Sequence, residues 1–336
     1  EDEDQALAAQ QAEARAREQE AQARAREAEA RRREAELAIQ QQLAEQRAAE
    51  ERRRLEEERR REVERQRELE RLNEQERQKT ESIHDLLDQA DQHIADEQYI
   101  QARSKLEQAL AISLQDRTTQ DRLHAEALAA TAYSFIEEDP ESRRNRQEAL
   151  ENANDALELS DGVWKAHYTR GRVFYETDRF SDAVSAFSSA ARLEPDSARV
   201  LYELARAQYR AGEYRAARNS YESCVRLQPD FPNAYYNLGI TNLQLDDPSR
   251  ALESFRFAVE VDANNDAAHF RIGTILLGQG DFGGAKQALE QAVEIQPNSA
   301  RYHSRLATAE YRLGQLNRAE EHFEKATELE PSDPNH

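Results

Sequence analysis

The sequence predicts an all-α chain, a right-handed superhelical solenoid of paired helices preceded by a long charged single helix or coiled coil. Three observations predict it. Apolar residues recur at helical spacing after Ile83, while glycine and proline are scarce, 10 and 8 in 336 residues, and no alternating strand pattern lasts more than a few positions. Small residues, aromatics and prolines repeat at a fixed interval through the second half of the chain. The first 82 residues consist mainly of Ala, Glu, Gln, Arg and Leu, all strong helix formers.

The N-terminal region, residues 1–82, comes first. It carries 19 Arg and Lys against 24 Asp and Glu, and before Leu37 its only large apolar residue is Leu7, so it cannot build a core. No Gly or Pro interrupts it from Gln5 to Lys79, and one helix of roughly 110 Å at about 1.5 Å per residue is the simplest reading. Seven Glu→Arg pairs four residues apart support it: Glu13/Arg17, Glu20/Arg24, Glu27/Arg31, Glu29/Arg33, Glu50/Arg54, Glu56/Arg60 and Glu57/Arg61. Each contributes about 0.2–0.5 kcal/mol, screened by salt. The heptad seam of a coiled coil is poor. Leu7, Ala14, Ala21, Ala28 and Ala35 repeat every seven residues, but the complementary slots hold Gln10/Gln11, Arg17/Glu18, Arg24/Ala25 and Arg31/Arg32. Leu69 and Leu72 would pair well, yet Glu62 and Arg65 fill the same slots one heptad earlier. A solitary charged spacer and a weak coiled coil both remain open.

Residues 83–336 hold the folding domain, and their internal period is 34 residues. Pro195, Pro229, Pro297 and Pro331 fall in one slot, which Ala263 fills in the remaining unit. Ala183, Ala217, Ala251, Ala285 and Ala319 keep the same step, as do Phe187, Tyr221, Phe255, Leu289 and Phe323. So do Ala190, Cys224, Ala258, Ala292 and Ala326, and, in the first half of each unit, Gly171, Ala205, Gly239, Gly273 and Ala307. Small residues let two helices approach, the aromatic or leucine fills the space between them, and the proline ends the second helix. One unit cannot bury its apolar face alone, so neighbours stack. Five units are in phase, 164–197, 198–231, 232–265, 266–299 and 300–333, and two weaker ones precede them, 83–116 and 130–163. Residues 117–129 are expected to lengthen one helix, Pro140 and a basic Arg143–Arg146 loop to interrupt unit 130–163, and Ser82 with Asp85 to cap the first unit. No capping helix follows Pro331–His336, so trimming, a partner or a second copy is expected at that end.

The run Leu238-Gly239, Ala251, Phe255 and Ala258, closed by proline in the other units, resembles the tetratricopeptide repeat family, and the resemblance covers about three quarters of the chain. It implies a superhelical array whose inner face, lined by the first helix of each unit, holds a partner protein or peptide. The slots read there as outward-pointing are Lys165, Tyr168, Arg172 and Tyr175; Arg199, Tyr202, Arg206, Tyr209 and Arg210; Asn233, Tyr236 and Asn237; and Phe270 and Arg271. This basic and aromatic surface on a chain of net charge −21 points to an acidic or carboxylate-bearing segment. In some members Lys, Asn and Arg residues from three units clamp a terminal carboxylate. Asn237 and Arg271 match that pattern, whereas Tyr202, Arg206 and Ala267 depart from it.

Other chemistry finds little support. The acidic balance argues against nucleic acid as a partner. Gly278-Gln279-Gly280-Asp281-Phe282-Gly283 spells a dinucleotide-binding pattern but falls in the turn between two helices, with no strand before it. His167, His269 and His303 share one slot of the repeat and read as packing residues, and Cys224 occupies a slot otherwise filled by Ala. No catalytic constellation, metal site or cofactor is expected, and no apolar run spans a membrane. A chain opening on Glu1 without methionine is expected to have lost a signal peptide, an anchor or merely some upstream sequence. That leans localisation towards a bacterial cell envelope or periplasm, with the cytoplasm as the alternative. The function expected is a non-enzymatic scaffold or adaptor with the long helix as spacer or assembly element. The alternative is a structural subunit of an envelope assembly that self-associates through the helix or the uncapped end.

Overall fold

The structure, a computed structural model, describes residues 2–330, and among them it contains fourteen α-helices and no strand. The chain divides into two units, Glu1–Arg77 and Gln78–His336. Helix α1 (Asp2–Ala95) supplies the first unit and the opening helix of the second. Within residues 10–77 nearly every side chain is exposed, including Leu37, Leu43, Leu55 and Leu69. Five of the Glu→Arg pairs close at 2.6–3.1 Å, while Glu50/Arg54 and Glu56/Arg60 stay open. The expected cap at Ser82 does not form. Its hydroxyl donates to the Gln78 carbonyl one turn back, and with no Gly or Pro to stop it the helix runs on to Ala95.

In the second unit the helices pair in sequence. The end of α1 packs with α2 (Tyr99–Leu110) and the long α3 (Arg117–Glu138), and α3 pairs with α4 (Arg143–Leu159). Five pairs then follow: α5 (Trp164–Glu176) with α6 (Phe180–Leu193), α7 (Ala198–Arg210) with α8 (Tyr214–Leu227), α9 (Pro232–Gln244) with α10 (Pro248–Val261), α11 (Asp266–Gln279) with α12 (Phe282–Ile295), and α13 (Ala300–Arg312) with α14 (Leu316–Leu329). Each first helix and each second helix begins 34 residues after its predecessor. The array is a right-handed superhelical solenoid. Arg143–Arg146, expected in a loop, form the first turn of α4. Ser142 caps it by accepting from the Asn145 amide, so Pro140 and Asp139 end the preceding segment without breaking the pair. Pro331–His336, and with them the question of an end cap, lie outside the described residues.

The repeated slots explain the packing. Gly171 faces Phe187, Gly239 faces Phe255 and Gly273 faces Leu289, and a Cβ added at Gly239 would lie 2.6 Å from the Phe255 ring. The facing side chains are wholly buried. The turn within each pair needs one left-handed residue, supplied by Asp178, Gly212, Asp246, Gly280 and Gly314, again 34 apart. Gly280 therefore ends α11, and Asp281 caps α12 by accepting from the Gly284 amide, so the glycine-rich string is a helix–helix turn. The second helices end two residues before each proline, as the conformational restriction on a pre-proline residue requires.

Two glycines of similar helical setting are expected to respond in opposite directions. Gly239→Ala forces the Phe255 contact apart at a cost of about 1–3 kcal/mol, only partly offset by about 1 kcal/mol of helix propensity. Gly278→Ala, with nothing within 4 Å of its added Cβ, stabilises by about 0.5–1 kcal/mol. Urea unfolding of the two variants checks both signs.

Candidate partner-binding face

The face built by α5, α7, α9 and α11 carries the fourteen residues singled out from the sequence, but the structure sorts them differently. Tyr168 and Phe270 are 0% and 3% exposed and belong to the core, so they are not outward-pointing. Tyr168 packs edge-on to Phe187, and Phe270 stacks on Tyr302 with ring centroids 4.8 Å apart. Tyr202 and Tyr236 share that slot of the repeat yet stay half-buried, so burial there depends on the neighbouring side chains and not on the slot alone. Arg199, Arg210 and Asn233 are exposed; Lys165, Arg172, Tyr175, Tyr202, Arg206, Tyr209, Tyr236, Asn237 and Arg271 are half-buried.

The expected basic surface is largely neutralised from within. Lys165 meets both carboxylate oxygens of Asp91 at 2.6 and 2.7 Å. Arg172 and Arg199 share Glu137 at 3.2 and 2.5 Å, Arg206 pairs with Glu203 at 2.9 Å, and Arg210 reaches Asp178 at 3.3 Å. The guanidinium groups also lie against aromatic rings, Arg206 over Tyr175 at 4.5 Å and Arg210 over Phe180 at 4.2 Å. Burial by itself would lower the Arg199 pKa, yet Tyr168, Tyr133 and Glu137 together raise it above the ordinary arginine value. Net positive charge on α5 and α7 therefore does not make a free cationic groove.

Glu137, on α3, is the residue that sequence reasoning missed. It lies 35 and 62 positions from its two arginines, and nothing local in the sequence marks it. Arg199 Nε also donates to the Tyr168 hydroxyl at 3.0 Å, so this carboxylate anchors three units. Beside it Tyr99, Tyr133, Trp164, Lys165 and Arg199 line a cleft of about 380 Å³.

Further along, the face is less committed. Asn237 donates to the Tyr202 hydroxyl at 3.0 Å, and Arg301 lies over Phe270 at 4.4 Å. Arg271 makes no ion pair with any acid among the described residues. Burial raises the Tyr209 pKa, and Arg271 acts against that rise, as does a hydrogen bond with Gln244.

The remaining sequence candidates are structural. His167, His269 and His303 each place Nε2 at 2.9–3.0 Å from a carbonyl six residues earlier, Asp161, Ala263 and Pro297, and so clip a first helix to the end of the preceding unit. Burial pushes the Cys224 thiol up to about 12, which leaves it protonated and inert. No group of three or more His, Cys, Asp or Glu could hold a metal ion among the described residues, and no helix there is long and apolar enough to cross a membrane.

Family models described as tetratricopeptide repeat match residues 141–198 and 202–268 in one case and 242–307 and 276–336 in the other, together more than half of the chain. The chain belongs to the tetratricopeptide repeat family. Solved structures superpose on it. PilF of Pseudomonas aeruginosa is 19% identical, with a TM-score of 0.52 over 63% of this chain and 94% of that one. YrrB, described as a tetratricopeptide repeat protein with an unusual peptide-binding site, is 20% identical, with a TM-score of 0.50 over 55% of this chain and 96% of its own. At these identities the likeness shows the fold alone. No curated protein matches the chain.

Glu137→Gln should leave Arg172, whose side chain is only 12% exposed, beside an uncharged partner. Disrupting a largely buried pair costs about 3–5 kcal/mol, and with Arg199 half in solvent a loss of about 2–3 kcal/mol is expected. Asp178→Asn, where the aspartate side chain is 80% exposed, should change stability by less than about 0.5 kcal/mol. Urea midpoints of the full chain distinguish the two.

Proposed function

We propose that this tetratricopeptide repeat chain is a protein-interaction scaffold that holds an extended partner segment on the face of α7, α9 and α11, with an acidic side chain or terminal carboxylate of that segment at Arg271. The observation that carries this reading is a contrast in pairing. Five cations on α5 and α7 already have a carboxylate of the chain within 3.3 Å, while Arg271, half-buried beside Tyr209, has none. A half-buried guanidinium without a counterion is held away from full hydration, so a partner carboxylate gains more there than at a surface arginine. Tyr209, Tyr236 and Asn237 supply aromatic and amide contacts on either side. The N-terminal helix serves as spacer or assembly element in this reading, and self-association through it is a separate proposal. In this reading the chain is a scaffold and not an enzyme.

Selection of a random peptide library on the full chain tests it. The expected outcome is enrichment of acidic sequences whose affinity falls about tenfold or more, roughly 1.4 kcal/mol, on Arg271→Glu. Synthetic versions with free and amidated ends separate a terminal carboxylate from an acidic side chain. Peptides without charge preference, or affinities indifferent to Arg271→Glu, would sink the reading.

A further inference from the structure

The five in-phase units differ at one buried contact between their two helices. The first-helix slot holds Phe174, Gln208, Asn242, Leu276 and Glu310, and the facing second-helix slot holds Ala186, Ser220, Ser254, Ala288 and His322. In two units the contact is apolar. In two it is an amide with a serine: Ser220 donates to Gln208 at 2.8 Å, and Asn242 reaches Ser254 at 3.4 Å. Only in the last unit is it ionisable. There Glu310 is 1% exposed, with one carboxyl oxygen 3.9 Å from His322 Nε2 and the other buried without a hydrogen-bond partner.

His322 also joins this contact to the clip between units. Its Nδ1 lies 2.9 Å from Nδ1 of His303, whose Nε2 lies 2.9 Å from the Pro297 carbonyl, and the two rings stack with centroids 5.1 Å apart. The hydrogen-bond chemistry assigns the protons. A carbonyl only accepts, so His303 must donate from Nε2 and, when neutral, accept at Nδ1. His322 then donates from Nδ1, and its Nε2 faces Glu310. The first proton is taken by the Glu310–His322 pair, which lies 3.9 Å apart and so forms an ion pair and not a hydrogen bond. The next must go to Nδ1 of His303, where two N–H groups would point at each other across 2.9 Å.

We propose that the α13–α14 pair is a pH-sensitive end unit: in mild acid, protonation of both His303 and His322 breaks their Nδ1–Nδ1 hydrogen bond and opens the pair, while the clips at His167 and His269 hold. Those two rings make the same Nε2 contact, but among the described residues their Nδ1 atoms make no hydrogen bond to the chain, so there is no Nδ1–Nδ1 bond to break.

The charged surroundings do not decide the outcome. Lys286 and Glu290 on α12, with Arg318, Glu321, Lys325 and Glu328 on α14, balance in sign. Burial decides it, lowering the pKa of both histidines and raising that of Glu310. The stability contributed by the histidines is complete above their unfolded value near 6.5 and is lost as pH falls below it. Glu310 acts in the opposite sense, its contribution falling as pH rises above 4.5, so between these values two histidines oppose one carboxyl.

Amide hydrogen exchange of the full chain, corrected for intrinsic pH dependence, reads this on peptides from 300–329 with 266–299 as internal reference. Between about pH 7.5 and 5.5 the protection of α13–α14 should fall about tenfold or more relative to α11–α12. His322→Ala, which installs the residue found at Ala186 and Ala288, should remove that fall. Equal protection at both pH values, or an undiminished fall in His322→Ala, overturns the proposal. Should His322→Ala lose its protection already at pH 7.5, Glu310→Gln/His322→Ser, rebuilding the Gln208–Ser220 contact, takes its place: a persisting fall overturns the proposal and a flat response supports it. Proton NMR titration of the four imidazoles decides independently of any variant. His303 and His322 titrating together with His167 and His269 would also overturn it.

Discussion

The close approach of two helices at a glycine or alanine is the contact on which the array depends. At Gly171, Gly239 and Gly273 the facing ring or leucine occupies the volume a Cβ would need. That contact sets how near the paired helices lie, and hence where the next unit can stack. Since each unit contacts only its neighbours, a geometry repeated every 34 residues becomes a continuous core. The left-handed turn residue recurs in each of the five units at the same step of 34, which makes the stacking regular.

The units differ at the surface of their first helices. Positions bound by the helix–helix contact are nearly invariant from unit to unit, while first-helix surface positions change charge and size. On α5 and α7 those changes build a ladder of arginines and tyrosines closed internally by Glu137, Glu203, Asp91 and Asp178. That ladder links the units of α3, α5 and α7. On α11, Arg271 forms no ion pair among the described residues. The same logic holds inside the units, where the contact between slots of Gln208 and Ser220 type becomes ionisable only at Glu310 and His322.

The repeat could be read directly from residues because its determinants are local: a small residue, a ring sixteen positions later, and a proline all lie within one unit. The long helix was equally legible, since nothing in it breaks a helix, although its end was not. Ser82 looks like a cap in sequence, but its hydroxyl bonds one turn backward and the helix continues. The candidate face was only partly legible. Tyr168 and Phe270 match the pattern of surface residues within their own units, yet the adjoining unit buries them.

The amino-acid sequence alone determined the helical class, the period, the phase of the five regular units and the absence of a continuous core in the N-terminal helix, because these follow from short-range sterics and apolar spacing. Tertiary structure decided which charges are free. An arginine's partner is set by stacking across units, as when Glu137 meets Arg199 from 62 residues away, and Coulomb pairing over that separation leaves no periodic trace. It also decided the proton placement at His303 and His322, nineteen residues apart, because two imidazoles can share one proton only when packing holds their nitrogens face to face.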